Sequence, residues 1–78
     1  MAREVAIRGE MIRLGQLLKL AGVVQGGGEI RAFLADTPVL VNDEPEIRRG
    51  RQLRPGDRVR IGELELHVSR ATPTDERR

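Results

Sequence analysis

Residues 13–21, Arg-Leu-Gly-Gln-Leu-Leu-Lys-Leu-Ala, decide the first element of the fold. Four apolar side chains recur in this stretch at the i, i+3, i+4 and i+7 spacing of one helical face: Leu14, Leu17, Leu18 and Ala21. Gly22 follows at once, and glycine tolerates the left-handed backbone that ends many helices. The pattern predicts an amphipathic helix whose leucines lie in the core and whose polar face meets solvent or a ligand.

A second, shorter helix is predicted after the glycine run at 26–28. Ile30, Phe33 and Leu34 repeat at helical spacing, and Glu29 takes the first turn, where a negative charge is favoured. Pro38 disfavours a helical conformation for the residue before it, so we expect about two turns only. Two short helices joined by a tight connection form a helical hairpin.

The rest of the chain favours β-structure. Alternation of apolar and polar side chains predicts strands over 4–8, 58–61 and 63–68, and the apolar run 39–41 predicts another. Turns are expected at Asn42-Asp43 and at Pro55-Gly56-Asp57. We expect 46–49 to return as a hairpin partner, with Pro45 at its start. The expected fold class is α+β, a helical hairpin packed on a small antiparallel sheet of about four to five strands.

Charge is distributed unevenly along this chain. Its formal net charge is only +2, but six arginines lie between 48 and 60 and are opposed in that stretch only by Asp57: Arg48, Arg49, Arg51, Arg54, Arg58 and Arg60. The segments on either side are mildly acidic. A guanidinium group can donate to two phosphate oxygens at once, so a cluster without local counter-charges favours binding to a polyanion, nucleic acid above all.

Composition argues against catalysis, cofactors and export. The chain has no cysteine, and His67 is its one histidine, so neither a metal centre nor a catalytic relay is predicted. Glu44 and Glu46 are expected in a solvated acidic loop. Phe33 is the one aromatic residue, which excludes a base-stacking platform and leaves phosphate contacts and shape for recognition. No apolar stretch is long enough to span a membrane and no signal peptide is visible, so a cytoplasmic protein is expected.

The order of these motifs carries a family resemblance. The helix 13–18, a second short helix, the Val39-Leu40-Val41-Asn42 hairpin and the turn 53–59 follow one another as in the S4-type RNA-binding domain, the αL motif. The resemblance covers about residues 12 to 61 and is closest to small free-standing bacterial members. A chain of 78 residues is expected to form one domain, here over 1–70, with a polar tail over 71–78 that we expect to fray. The resemblance implies docking on structured RNA, ribosomal or transfer RNA, and we expect a monomer whose partners include ribosomal particles.

Three local features differ from the family's common pattern. Gly27-Gly28-Glu29 replaces the usual Ser-Arg at the start of the second helix and removes one basic contact. Thr37-Pro38 replaces the glycine that ends it, and Asn42-Asp43 stands where Asn-Gly is commoner. Because of the first difference, we expect phosphate binding less at the second helix and more at the arginine-rich residues 48–60.

The resemblance also implies an RNA-binding surface, transferred position by position. Its candidate residues are Arg13, Lys19, Arg31, Arg48, Arg49, Arg51 and Arg54, of which Lys19 is the weakest. Independently of the family, Gly27 and Gly28 are candidates for a phosphate nest, because backbone N–H groups at a helix start attract anions. A flexible connection between the helices explains those glycines equally well.

Two other functions compete with RNA binding at this point. In a protein-interaction module, the arginines would meet an acidic protein partner. A small β-grasp carrier shares the hairpin and the Pro-Gly-Asp turn, but such carriers act through a C-terminal Gly-Gly, and this chain ends Asp75-Glu76-Arg77-Arg78.

Overall fold

Two helices and two β-sheets are formed by residues 2–71, the part of the chain that the computed structural model describes. In chain order the elements are β1 (Ala2–Ile7), β2 (Ile12–Arg13), α1 (Leu14–Leu20), α2 (Gly27–Asp36), β3 (Val39–Val41), β4 (Glu44–Pro45), β5 (Gln52–Leu53), β6 (Arg58–Ile61) and β7 (Leu64–Arg70). The predicted α+β class is confirmed. The expected tail continues from Ala71 into 72–78, which lie outside the described residues.

Helix α1 follows the leucine spacing closely. Leu14, Leu17 and Leu18 are fully buried, as the stripe predicts. The helix ends one residue earlier than predicted, with Ala21 as its C-cap, and Gly22 takes the left-handed backbone at φ 79°. At the other end, the side-chain oxygen of Gln16 accepts the Arg13 N–H at 3.2 Å, which satisfies a donor before the first turn.

Helix α2 is longer than expected, because it includes two of the glycines. It runs for ten residues from Gly27, with Gly26 as its N-cap, instead of about two turns. N–H groups in a first turn need no partner within the helix, and the buried residues Ile30 and Leu34 hold this helix against the core. The predicted end is confirmed: Thr37 is extended, with φ −118° and ψ 126°, immediately before Pro38.

The main sheet is mixed, and the prediction of an antiparallel sheet is wrong at one edge. Its strand order is β1-β7-β6-β3-β4, and β1 runs parallel to β7, with Val5 opposite Val68. The other three pairs are antiparallel. Both helices and the five strands β2 to β6 separate β1 from β7 along the chain, so no short turn sets their relative direction.

The first hairpin is tighter than predicted, and the expected return strand over 46–49 is wrong. Asn42 and Asp43 both have positive φ, 52° and 71°, which makes a two-residue turn of the type that suits hairpin twist. Val41 therefore pairs with Glu44, and β4 ends at Pro45 on the sheet edge, where a missing N–H is tolerated. The chain leaves the sheet at Glu46 and is free to form a loop.

One apolar core lies between the helices and one face of the sheet. Val5, Val41, Val59 and Leu66 supply the sheet side, and each is buried. A second, two-stranded sheet, which no sequence pattern predicted, pairs Ile12 with Leu53 and Arg13 with Gln52. Since α1 begins directly after Arg13, this small ladder places residues 52–53, which follow Arg51, beside the start of the first helix.

Neither helix within residues 2–71 combines the length and the apolar character needed to cross a membrane.

Candidate nucleic-acid interface

The loop 46–51, which we call the arginine loop, is fixed to the start of α1. The Leu14 N–H donates to the Arg51 carbonyl at 2.8 Å, and the Gly15 N–H donates to the Arg49 carbonyl at 2.9 Å. N–H groups in the first turn of a helix have no partner within it, so they are available to hold another segment. Within the loop, the Arg51 N–H donates to the Arg48 carbonyl at 3.2 Å and closes a turn around Arg49 and Gly50.

Gly15 allows this close approach. A Cβ atom at position 15 would lie 3.3 Å from two side-chain carbons of Ile30 and 3.4 Å from the Cβ of Arg49. A side chain larger than that of alanine would push either α2 or the arginine loop away from α1. Sequence reasoning did not single out Gly15, although an isolated glycine within a helical pattern often has a packing reason.

Five arginines from three segments meet around this loop. Arg13 and Arg49 line one shallow depression, Arg31 and Arg49 line a second, and Arg48 and Arg51 line a third. Gly50 lies in both the first and the third. We call this group the arginine surface: Arg13, Arg31, Arg48, Arg49 and Arg51.

Lys19 and Arg54, the other two predicted basic residues, are not brought into that group. Lys19 lies in the last turn of α1, and Arg54 precedes the Pro55-Gly56 turn. Both are exposed, and neither lines the three depressions.

Glu46 corrects the expectation of a solvated acidic loop. Its side chain is only 7% exposed and forms ion pairs with Arg48 at 3.0 Å and Arg51 at 2.9 Å. The same carboxylate accepts the backbone N–H groups of Ile47 at 3.1 Å and Arg48 at 3.0 Å. The tight hairpin turn causes this placement, because it ends the strand before Glu46 and lets the loop fold back over the carboxylate.

The electrostatics of Glu46 follow from these contacts. The hydrogen bond from the Arg48 side chain, with smaller contributions from the Arg48 backbone and Arg51, lowers the pKa of Glu46 to about 2 against the opposing effect of burial. The same contact raises the pKa of Arg48. Glu46 is therefore ionised across the physiological range.

Some of the arginines that the sequence leaves without counter-charges form ion pairs with carboxylates in the folded protein. Arg58 pairs with Asp43 at 3.2 Å, and Arg60 reaches the same carboxylate at 3.5 Å. Arg58 also lies 3.8 Å from Glu65, whose pKa is lowered chiefly by the hydrogen bond from His67. These carboxylates lie outside the segment 48–60. Sequence reasoning, which considered only Asp57 within that segment, therefore missed them.

Asp57, the acidic residue that the sequence placed against the arginines, has other partners. Its carboxylate accepts the Arg54 backbone N–H at 2.7 Å and the Asn42 side-chain amide at 3.1 Å. It thereby fixes the Pro55-Gly56 turn against the first hairpin.

Three members of the arginine surface keep their charge uncompensated. Within residues 2–71, Arg13, Arg31 and Arg49 have no carboxylate in ion-pair range. All three side chains are exposed. Because each comes from a different segment, their convergence depends on the tertiary fold.

The start of α2 already holds a carboxylate. Glu29 accepts the Gln25 N–H at 2.8 Å, one residue before the N-cap Gly26. A phosphate at Gly27 and Gly28 would meet that negative charge at close range. Phosphate binding by these glycines stays a prediction.

Ile47 is a further residue that sequence reasoning missed. It is 74% exposed, next to the buried Glu46, and it lines the same depression as Arg31 and Arg49. Among the acidic and histidine side chains of residues 2–71, no three meet in a group able to hold a metal ion.

Comparison with known proteins agrees with the motif order. The family model described as "S4 domain" matches residues 5–69. A protein of Bacillus subtilis (strain 168), described as "Probable ribosome maturation protein RlbA", is 57% identical over 61 residues. That alignment covers 78% of this chain and 86% of the relative.

Proposed function

This chain belongs to the S4 domain family, and on that premise we propose that it is a non-catalytic protein that binds structured RNA through the arginine surface. The description of the Bacillus relative favours ribosomal RNA or a maturing ribosomal particle over transfer RNA as the target. Such a target is consistent with a cytoplasmic location.

The convergence of Arg13, Arg31 and Arg49 carries this proposal. Three exposed guanidinium groups, which have no acidic partner among residues 2–71, come together around a loop that is fixed to α1 by two backbone hydrogen bonds. A loop with a fixed backbone suits the phosphates of a folded RNA, because little loop entropy remains to be lost on binding. With one aromatic residue in the chain, recognition depends on backbone and groove shape.

The remaining predicted residues have secondary places in the proposal. Arg48 and Arg51 contribute donors that Glu46 does not use, and Arg54 and Lys19 extend the positive potential at the edges. We also propose that the two helices form the αL arrangement and that the protein is a monomer. A phosphate nest at Gly27 and Gly28 is part of the same proposal.

The test is a binding series with a ribosomal RNA fragment, a transfer RNA and a DNA duplex across increasing salt. We expect the wild type to prefer ribosomal RNA, with affinity that falls linearly with salt on logarithmic axes. The double variant Arg31→Ala/Arg49→Ala should reduce the magnitude of that slope by about 2, one for each lost phosphate contact.

A matched control separates the surface from net charge alone. Arg58→Ala/Arg60→Ala also removes two positive charges, but these belong to two residues of β6 that form ion pairs with Asp43. It should keep most of the affinity. Equal loss in both double variants would contradict the assignment of the site, and a wild type that retains an acidic protein but no RNA would favour the protein-interaction alternative.

A further inference from the structure

We infer that Glu46 is a positioning residue, which fixes the arginine loop in the conformation that presents Arg49 to RNA. The inference rests on the proposed function, because it concerns how the same surface is held. It assigns a role to the buried acidic residue that lies among the positively charged side chains of the arginine surface.

The contacts of Glu46 reach across the loop. One carboxylate oxygen accepts the backbone N–H groups of Ile47 and Arg48, and the other accepts a terminal nitrogen of Arg51 at 2.9 Å. The Glu46 N–H itself donates to the Val39 carbonyl at 2.9 Å, so the residue is tied to the sheet. One side chain thus joins the end of the hairpin to both flanks of Arg49.

The loop is held from its other side by α1. Its two carbonyl contacts, at Arg49 and Arg51, are made to the first N–H groups of that helix. Between them, Glu46 and α1 restrain the backbone on both sides of Arg49, while the Arg49 side chain remains exposed. Restraint of this kind reduces the entropy that binding must remove.

Charge alone does not account for Glu46. A carboxylate among phosphate-binding arginines weakens attraction to RNA, so its presence there needs a compensating benefit. Its partners keep free donors: Arg48 remains 73% exposed, and Arg51 gives Glu46 one of its terminal nitrogens. Both arginines are therefore held by Glu46 and remain able to donate to phosphate.

Glu46→Gln makes positioning and charge predict opposite results. Removal of one negative charge should tighten RNA binding if attraction alone matters. If Glu46 positions the loop, the affinity for the ribosomal RNA fragment should fall by about tenfold, because two arginine side chains and the loop must be ordered on binding. Glu44→Gln is the matched control: it removes the same charge from an exposed residue two positions earlier, and it should bind as tightly as the wild type or more tightly.

Amide hydrogen exchange provides a second measurement that needs no variant. In the free wild type, the Ile47 and Arg48 N–H groups should exchange slowly, because both donate to the carboxylate. Exchange at the rate of an open loop would overturn the inference, as would a folded Glu46→Gln protein that binds RNA as tightly as the wild type. A wild type that binds none of the RNAs contradicts the proposed function instead, and exchange at these two amides then still decides whether Glu46 fixes the loop.

Discussion

The Gly15 nitrogen lies 2.9 Å from the Arg49 carbonyl oxygen, so the first helix and the arginine loop share a backbone hydrogen bond at the residue that lacks a side chain. The absence of a side chain at position 15 favours this close packing, since a Cβ would already contact both Ile30 and Arg49. The RNA surface that we propose is therefore built against the helix that the leucine stripe defines.

Enlarging residue 15 should separate these elements. We expect Gly15→Val to lower the free energy of unfolding by about 2 kcal/mol through overpacking and to weaken RNA binding by displacing Arg49. Gly15→Ala should be close to neutral, because the gain in helix propensity, about 1 kcal/mol, offsets contacts that are too short by a few tenths of an ångström. Urea denaturation of both variants measures the difference, and equal stability would show that α2 yields at no cost.

Arginines with and without a carboxylate partner should differ when they are removed. Arg49→Ala should weaken binding to the ribosomal RNA fragment by about tenfold and leave the thermal midpoint unchanged, since Arg49 has no acidic partner among the described residues. Arg48→Ala should lower both the RNA affinity and the thermal midpoint, because it leaves the buried Glu46 with fewer hydrogen-bond donors. Thermal melts beside the binding series distinguish the two, and a stable Arg48 variant would contradict the structural part of this assignment.

Stability should depend on pH through Glu46. Its pKa in the folded protein is about 2, below the ordinary 4.5, so its ionised form stabilises the fold fully above pH 4.5. That contribution, about 3 kcal/mol, should be lost as the pH falls from about 4.5 to 2. Denaturation curves at successive pH values measure it.

The neighbouring glutamate supplies the control for that experiment. Glu46→Gln should be less stable at neutral pH and should flatten the acid side of the profile. Glu44→Gln, which removes an exposed carboxylate, should keep the wild-type profile. An unchanged acid limb in Glu46→Gln would assign the pH dependence to other carboxylates.

The hairpin turn gives a prediction that separates backbone strain from side-chain hydrogen bonds. Asn42, at φ 52°, donates to Asp57 at 3.1 Å and accepts the Arg58 N–H at 2.9 Å through its side chain. Asn42→Ala should cost about 2 kcal/mol, because it loses both bonds and places alanine in the left-handed region. Asn42→Gly loses the bonds only and should cost about 1 kcal/mol. If chemical denaturation finds the two variants equally stable, backbone strain contributes nothing here.

Local patterns predicted the parts of the fold that local spacing controls. The leucine stripe located α1, Pro38 located the end of α2, and alternation located β6 at its observed bounds. Relationships between distant segments were not predictable in this way. The parallel pairing of β1 with β7 joins two strands that no hairpin connects, and the tight turn at Asn42-Asp43 moved the return strand two residues earlier.

The candidate site shows the same division. The spacing of Arg48, Arg49 and Arg51 in the sequence indicates a basic site. That Glu46 pairs with Arg48 and Arg51 but not with Arg49 becomes evident only in the folded loop. Burial of Glu46 depends on where a strand ends, and the use of Gly15 depends on the distance between two helices. Neither quantity is encoded in a window of neighbouring residues.

The parallel pair β1–β7 has a consequence for the order of folding. Ala2 lies opposite Glu65, more than sixty positions away, so the first strand finds its place only after the last one is available. Contacts between distant positions require large loops to close and form slowly, whereas the helices and the short hairpins need only their neighbours. Val5 and Ile7 of β1 are buried in the folded protein. During synthesis, β1 cannot pair with β7 until β7 has emerged, and we expect these apolar side chains to be exposed over that interval.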